Sequence, residues 1–147
     1  MFRRIEKKDR EIYLALAREF YHSPAVLHSV PESYFEKAFD EMVRSDVYLE
    51  GYLLNDGTDC GYALLAKSFS QEAGGLAVWL DEFYVRETSR GKGLGKEFLH
   101  YLTEQYANAA RLRLETEPDN AKAEKLYRSL GFKPLIYKQF VREKNEE

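Results

Sequence analysis

The stretch Arg90-Gly91-Lys92-Gly93-Leu94-Gly95 decides how this chain is interpreted, because of the segments on either side of it. The apolar run from Leu76 to Val85 predicts a buried strand, and the segment from Leu94 to Ala107 has helical periodicity. Glycines between a strand and a helix let the backbone approach a ligand, and the helix N-terminus offers unpaired N–H groups and partial positive charge. With its two basic residues and Lys96 directly after it, the stretch predicts a site for phosphate or pyrophosphate.

The spacing separates this site from two common nucleotide-binding motifs. A P-loop needs Gly-Lys-Ser/Thr after four intervening residues, and a dinucleotide fingerprint follows the first strand of a βαβ unit. The pattern Arg/Gln-x-x-Gly-x-Gly/Ala, met by Arg90, Gly93 and Gly95, instead resembles the acetyl-coenzyme A loop of the GNAT superfamily of N-acetyltransferases. A glycine-rich turn with a solvated basic edge is the alternative for this motif alone.

A second segment strengthens the resemblance. Asn120-Ala121-Lys122-Ala123 leads into Leu126-Tyr127-Arg128-Ser129-Leu130-Gly131-Phe132, which is similar to the other GNAT signature, Asn-x-x-Ala-x-x-x-Tyr-x-x-x-Gly-Phe. It follows the first motif after one predicted strand and lies on a predicted helix. The resemblance covers about Leu76 to Phe132, and the N-terminal half agrees in the order of its elements.

Composition places the chain among ordinary globular proteins. Its 147 residues suffice for one domain over 1–147, with a solvated tail from about 143. A net charge of −3 argues against a general nucleic-acid binder. No apolar run has membrane-spanning length and no signal peptide is recognised, so we expect a cytoplasmic protein with no membrane partner. Cys60 is the only cysteine, and the histidines lack metal-ligand clustering, so no metal is expected.

The periodicities predict the element order βααβββαβαβ, an α+β (mixed α/β) domain. The resemblance implies a GNAT-like three-layer fold with a central mixed, mostly antiparallel sheet of about six or seven strands flanked by four helices. Asp9 is predicted to cap the first helix. Only Lys133-Pro134-Leu135 is available for the first of two terminal strands, so the final hairpin is either very tight or reduced. The strands are expected over 2–5, 47–54, 60–67, 76–85, 111–115 and 136–142.

Two adjacent carboxylates interrupt the apolar strand before the glycines. Asp81 and Glu82 are costly to bury unpaired, and neighbouring strand residues point to opposite faces. At least one is therefore expected to face a cavity, a positive partner or water. A structural ion pair with Arg111 or Arg113 is the alternative to a substrate-facing carboxylate, and we favour the latter because the pair lies just before the predicted cofactor-binding strand end.

Acyl transfer from a thioester to an amine needs a proton acceptor for the ammonium and an acid for the leaving thiolate. The resemblance offers Glu82, Asp81 and Glu115 as acceptors without deciding among them, and Tyr127 as the acid. Tyr127 is otherwise an amphipathic core tyrosine, and Asn120 is also a plausible helix cap. The residues that the resemblance implies at the cofactor are Phe83, Tyr84, Val85, Arg90, Gly91, Lys92, Gly93, Leu94, Gly95, Lys96, Asn120 and Tyr127.

The resemblance implies an N-acetyltransferase that moves the acetyl group of acetyl-coenzyme A directly to a primary amine of a small molecule, such as a polyamine, amino acid or aminoglycoside. The run from Trp79 to Val85 is similar to that strand of spermidine acetyltransferases. A protein or peptide acetyltransferase and a non-catalytic acetyl-coenzyme A sensor or interaction module are the alternatives. The segment from Tyr21 to Phe39, with the C-terminal hairpin, is expected to select the acceptor, and a homodimer is expected by analogy.

Overall fold

The structure, a computed structural model, describes residues 1–144 and divides them into two compact units. The first unit is Met1–Glu115, and the second begins at Thr116. The first contains the sheet, three helices and the glycine loop, whereas the second contains one helix. Most of the predicted solvated tail lies outside the described residues.

A five-stranded mixed sheet forms the centre of the first unit, in the order β1-β2-β3-β4-β5. The first four strands pair antiparallel, and β4 pairs parallel with β5. The strands are β1 Phe2–Arg4, β2 Leu49–Asn55, β3 Asp59–Ser70, β4 Gly75–Val85 and β5 Arg111–Leu114. The mixed, mostly antiparallel class is confirmed, with fewer strands than the six or seven expected.

Four helices accompany these strands, as the sequence predicts. They are α1 Arg10–Tyr21, α2 Glu32–Arg44, α3 Leu94–Gln105 and α4 Ala121–Ser129. Asp9 occupies the position before α1, but its carboxylate does not cap the helix. It instead accepts two hydrogen bonds of 2.8 Å from Arg3 and one of 2.8 Å from the backbone N–H of Glu6. The charged guanidinium of Arg3 and the backbone N–H of Glu6 therefore bind the carboxylate in place of the N–H groups of the first turn of α1.

Apolar alternation along the strands divides the first unit into three layers. Tyr62 and Leu64 of β3 pack with α1 and α2 on one face, where Tyr13 lies 5.4 Å from Tyr62, ring centroid to centroid. On the other face, Phe98 of α3 lies 5.9 Å from Phe83 of β4 by the same measure. Because neighbouring strand residues face opposite layers, β4 sends consecutive side chains to different helices.

Two irregularities shape the paired strands β3 and β4. Leu64 pairs with Glu82 whereas Leu65 pairs with Leu80, so Asp81 is the extra residue of a β-bulge. Closer to the end of β4, a Cβ on Gly61 would lie 2.2 Å from the carbonyl oxygen of Tyr84. Glycine is therefore required where β3 approaches the end of β4, and the bulge interrupts the alternation at the two carboxylates.

The second unit holds α4 and the segment that follows it. Gly131 has a φ of +90°, as expected of the glycine that ends a helix. The predicted strand over 136–142 is wrong, since the described part of this unit contains no strand. Within 136–142 the apolar residues come in adjacent pairs, Ile136-Tyr137 and Phe140-Val141, instead of alternating. Pro134, just before this segment, has no backbone N–H to donate to a neighbouring strand.

Candidate active site

The end of β4 is released from its parallel neighbour. Pairing between β4 and β5 runs over Ala77–Leu80 and Arg111–Leu114 and stops there. Phe83, Tyr84 and Val85 remain paired with β3 on the opposite side. On the side away from β3, β5 does not pair with the backbone of these three residues, and this is the side that an extended ligand arm would need.

The glycine loop follows this strand end and leads into α3. Gly91 and Gly93 have φ values of +77° and +84°, in the left-handed region that favours glycine. Gly93 occupies the position before α3, and its carbonyl accepts the first helical hydrogen bond, from Glu97 N–H at 2.9 Å. Among the described residues, no atom lies within 4 Å of a Cβ built on either glycine, so the loop borders open space.

A cleft of about 400 Å³ lies between the end of β4, the start of α3 and the last turn of α1 with the residues that follow it. Every residue lining it belongs to the first unit. Eight of the twelve predicted cofactor residues line the cleft. Its lining is Phe20, Ser23, Ala25, Phe83, Tyr84, Val85, Ser89, Arg90, Gly91, Gly93, Leu94 and Gly95.

Three basic side chains lie in or beside the loop, and two of them make contacts within the protein. Arg90 donates from Nε to the carbonyl oxygen of Val85 at 2.8 Å, and its guanidinium lies 6.0 Å from the centre of the Tyr84 ring. Lys92 pairs with Asp56 at 2.8 Å, and Lys96 is exposed in the first turn of α3. Together with the helix N-terminus, these charges can attract a phosphate.

Glu82 lies directly before the strand end and is clasped by two tyrosines. The hydroxyl of Tyr62 donates to Oε1 and that of Tyr21 donates to Oε2, each at 2.6 Å. Burial raises the pKa of Glu82, the two hydroxyls lower it and the charge of Asp81 raises it, with a net upward direction. A glutamate whose pKa is raised toward neutrality is suited to accept a proton.

Asp81, the residue of the bulge, is exposed and close enough to Glu115 to feel its charge. Desolvation raises the pKa of Asp81, and the negative charge of Glu115 raises it further. The structure therefore brings the three predicted carboxylates to one end of β4 and β5. The contacts given for the two arginines of the ion-pair alternative lie elsewhere: Arg111 pairs with Glu72 at 2.9 Å, and Arg113 lies 3.8 Å above the Trp79 ring.

Tyr127 and Asn120 belong to the second unit. The side chain of Asn120 accepts a hydrogen bond from Ala123 N–H at 3.1 Å and so caps α4. The half-buried ring of Tyr127 packs edge-on against Phe132 at 6.3 Å, and burial raises its pKa. Both residues thus have local structural roles, and their roles at the cofactor stay predictions.

The sequence alone assigned no individual role to Tyr21, Tyr62 or Glu19. Glu19 accepts a hydrogen bond from the hydroxyl of Tyr84 at 3.1 Å and pairs with Arg86 at 2.8 Å. The available signal is chemical, since a buried tyrosine hydroxyl needs a partner and a carboxylate in an apolar strand needs donors. Pairing them requires the fold, because Tyr21 and Glu82 are 61 residues apart.

The described residues also bear on two expectations from the sequence, which concern metal binding and membrane partners. Within residues 1–144, no three or more His, Cys, Asp and Glu side chains are grouped so that they could hold a metal ion. None of the described helices is both long and apolar enough to cross a membrane.

Comparison with known proteins identifies relatives of the chain. The family model of the acetyltransferase (GNAT) family matches residues 10–132. The spermine/spermidine N(1)-acetyltransferase of Bacillus subtilis (strain 168) is 33% identical in an alignment of 91 positions that covers 58% of this chain and 56% of that protein. The chain therefore spans about half the length of this curated relative.

Solved structures resemble the whole chain more closely in fold than in sequence. An integron cassette protein from the mobile metagenome of Cole Harbour Salt Marsh is 26% identical with a TM-score of 0.82, covering 99% of this chain and 91% of that one. AAC(6′)-Iy in complex with a bisubstrate analogue is 18% identical with a TM-score of 0.75, covering 98% and 97%. With a family match over most of its length, the chain belongs to the acetyltransferase (GNAT) family.

Proposed function

We propose that this protein transfers the acetyl group of acetyl-coenzyme A to a primary amine of a small molecule. The observation that carries the proposal is the cleft itself. It joins a strand end released from β5, a loop with two left-handed glycines and the N-terminus of α3, with Glu82 directly before the strand end. Family membership supports the same activity.

The cleft fits the cofactor in shape and charge. The backbone of Phe83, Tyr84 and Val85 can bind an extended arm as an added strand would, because β5 leaves that side unpaired. The open space over Gly91 and Gly93 admits a pyrophosphate to backbone N–H groups at the start of α3. We assign the added charges to Arg90, Lys92 and Lys96, and a further contact to Asn120.

Acetyl-coenzyme A supplies the acetyl group as a thioester, so transfer forms a C–N bond and breaks a C–S bond. An ammonium acceptor must lose two protons from its nitrogen, one before attack and one as the amide forms; one of them is released to water and one ends on the sulfur. We assign removal to Glu82, whose raised pKa brings it closer to the working range than an ordinary glutamate, with Asp81 and Glu115 attracting the ammonium. Proton return is assigned to the hydroxyl of Tyr127.

The carboxylates favour a cationic small-molecule acceptor. The negative charge of Glu115 makes ionisation of Asp81 more costly, and a nearby ammonium would lower that cost. The names of the relatives agree, since one acts on spermine and spermidine and another is an aminoglycoside acetyltransferase. A peptide acceptor and a non-catalytic acetyl-coenzyme A sensor are the competing proposals.

Release of free thiol from acetyl-coenzyme A tests the proposal across polyamines, amino acids, aminoglycosides and lysine peptides. We expect turnover with at least one small amine, and the rate of thiol release should increase with the concentration of that amine. Turnover with peptides alone would favour the peptide acceptor. Tight binding of acetyl-coenzyme A without turnover for any amine would favour the sensor.

A homodimer that leaves the cleft open is a further proposal, made by family analogy. Light scattering at micromolar concentration tests it. We expect twice the mass of one chain, and the mass of a single chain would contradict the proposal.

A further inference from the structure

The last turn of α1 is attached to the end of β4 by two crossed hydrogen bonds. Tyr21 of α1 donates its hydroxyl to Oε2 of Glu82 on β4, at 2.6 Å. Tyr84 of β4 donates its hydroxyl to Oε2 of Glu19 on α1, at 3.1 Å. Each element therefore contributes one tyrosine and one glutamate, and the two bonds fix the helix end beside the strand end that lines the cleft.

The two tyrosines that clasp Glu82 differ in their surroundings. Tyr62 lies in the middle of the α1–α2 core and is 0% exposed, so its hydroxyl is a fixed part of the fold. Tyr21 is the last residue of α1 and is only half-buried. The residues that follow it, Ser23 and Ala25, line the cleft. Tyr21 therefore connects the carboxylate to the wall of the cleft.

We propose that Tyr21 is a positioning residue of the acetyl transfer, which holds the carboxylate of Glu82 in its proton-accepting orientation through the bond to Oε2. Because that role matters only if Glu82 receives the amine proton, the inference rests on the proposed function. Tyr21 itself touches neither reacting group in this assignment. It acts through Glu82. It also links the protonation state of Glu82 to the position of the cleft-lining residues that follow α1, Ser23 and Ala25.

The groups that face Glu82 come from three elements. Tyr13 and Tyr21 belong to α1, Tyr62 to β3 and Asp81 to β4. Of these, the two hydrogen-bonding hydroxyls favour the ionised carboxylate, whereas burial and Asp81 oppose it. A variant without the Tyr21 hydroxyl keeps every opposing contribution and loses one that favours the charge. We therefore expect the pKa of Glu82 to rise further in that variant.

Tyr21→Phe is the direct test, because it removes the hydroxyl and keeps the ring beside Phe35, 4.9 Å away between centroids. Tyr106→Phe is the matched control. Tyr106 also donates its hydroxyl to a buried glutamate, Glu50, but that pair lies outside the cleft lining. Both variants lose one tyrosine–glutamate hydrogen bond, and only the first loses it at the proposed base.

A ¹³C NMR titration of glutamate carboxyl groups, with the Glu82 signal assigned by its loss in Glu82→Gln, reads the coupling without any substrate. We expect the pKa of Glu82 to rise by roughly one unit in Tyr21→Phe, the size expected for a lost hydrogen bond to a charged group. It should not change in Tyr106→Phe. An unchanged pKa in Tyr21→Phe would overturn the inference.

The pH profile of kcat/KM, measured with the fastest-reacting amine of the panel above, then tests the positioning role. In Tyr21→Phe the acidic limb should move to higher pH by about the same amount, and the plateau at high pH should fall, because the ionised carboxylate of Glu82 is no longer held in its proton-accepting orientation. A limb that stays in place although the pKa moves would overturn the role in catalysis. Absence of turnover for every amine overturns the proposed function and this role together, and the titration then reports a bond of structural value only.

Discussion

Arg90 donates from its Nε to the carbonyl oxygen of Val85 across 2.8 Å, which ties the first residue of the glycine loop to the last residue of β4. The contact uses one of the five N–H groups of the guanidinium and fixes the direction of the others. The loop and the strand end that form the proposed cofactor site are therefore held together by a side chain of the motif itself.

Gly93→Glu should abolish binding of acetyl-coenzyme A in isothermal titration calorimetry. The substitution places bulk and negative charge where the pyrophosphate is proposed to bind, at a φ of +84°. The strained backbone alone costs about 1–2 kcal/mol of stability. Gly74→Glu is the control, because Gly74 has a φ of +86° in the turn between β3 and β4 and likewise borders open space.

Both glycine variants should lower the melting temperature by similar amounts, whereas only Gly93→Glu should lose cofactor affinity. Dephosphorylated acetyl-pantetheine separates the arm from the pyrophosphate and should bind wild type more weakly than acetyl-coenzyme A does. Equal affinity for the two compounds would contradict a pyrophosphate site at the loop.

Glu82→Gln should lower turnover by roughly 10²-fold or more, because the amide cannot accept the amine proton. In wild type, the raised pKa of Glu82 means that its basic form is lost on acidification earlier than for an ordinary glutamate. The rate should therefore fall with decreasing pH at values above the usual glutamate range. Asp81→Asn and Glu115→Gln are the comparison variants in the same thiol-release assay. A larger loss of the plateau rate in either of them than in Glu82→Gln would reassign the base.

Glu50 is expected to be a stability residue with no part in the reaction. It is 2% exposed and binds Lys67 at 2.7 Å and Arg4 at 3.1 Å, with the hydroxyls of Tyr52 and Tyr106 as further donors. Glu50→Ala leaves Lys67 without this carboxylate and should lower the free energy of unfolding by about 3–5 kcal/mol in urea at neutral pH.

The pH dependence of that loss follows from the direction of the pKa of Glu50. Burial raises the pKa, but Lys67 and the two tyrosines outweigh it, so the net direction is downward. Stability from Glu50 is then present above its unfolded pKa and disappears as pH falls through the folded value. The difference between wild type and Glu50→Ala should shrink on acidification, and a constant difference would contradict the ion-pair explanation.

Tyr127→Phe tests the proposed acid. The packing of the ring against Phe132 survives, so melting temperature and cofactor affinity should be nearly unchanged. Turnover should fall by roughly 10²-fold or more, and by less with acyl donors whose thiols are more acidic. If the phenylalanine variant is as active as wild type, proton return passes to water and Tyr127 is a packing residue.

The sequence predicts most of the first unit because its signals are local. Periodicity located the helices, and the glycines of the loop are where the structure needs a positive φ. Contacts distant in sequence could not be obtained this way. The bulge at Asp81 depends on how β3 pairs with β4, and the two tyrosine donors of Glu82 come from β3 and α1.

The prediction of a strand over 136–142 was wrong for a different reason. Its content of Ile, Tyr, Phe and Val favours a strand, but a strand also needs a neighbour to complete its hydrogen bonds. The described part of the second unit provides none. Composition was therefore a poor guide to pairing, and the alternation that signals a half-buried strand is absent there.

Mass spectrometry of the amine after incubation with acetyl-coenzyme A tests the central claim most directly. With spermidine, an amino acid and an aminoglycoside offered separately, the account predicts that at least one gains a single acetyl group at a primary amine. The amount of product should equal the thiol released, and Glu82→Gln should form far less of it. Thiol release without any acetylated amine, or no product from any acceptor while acetyl-coenzyme A binds tightly, would contradict the account.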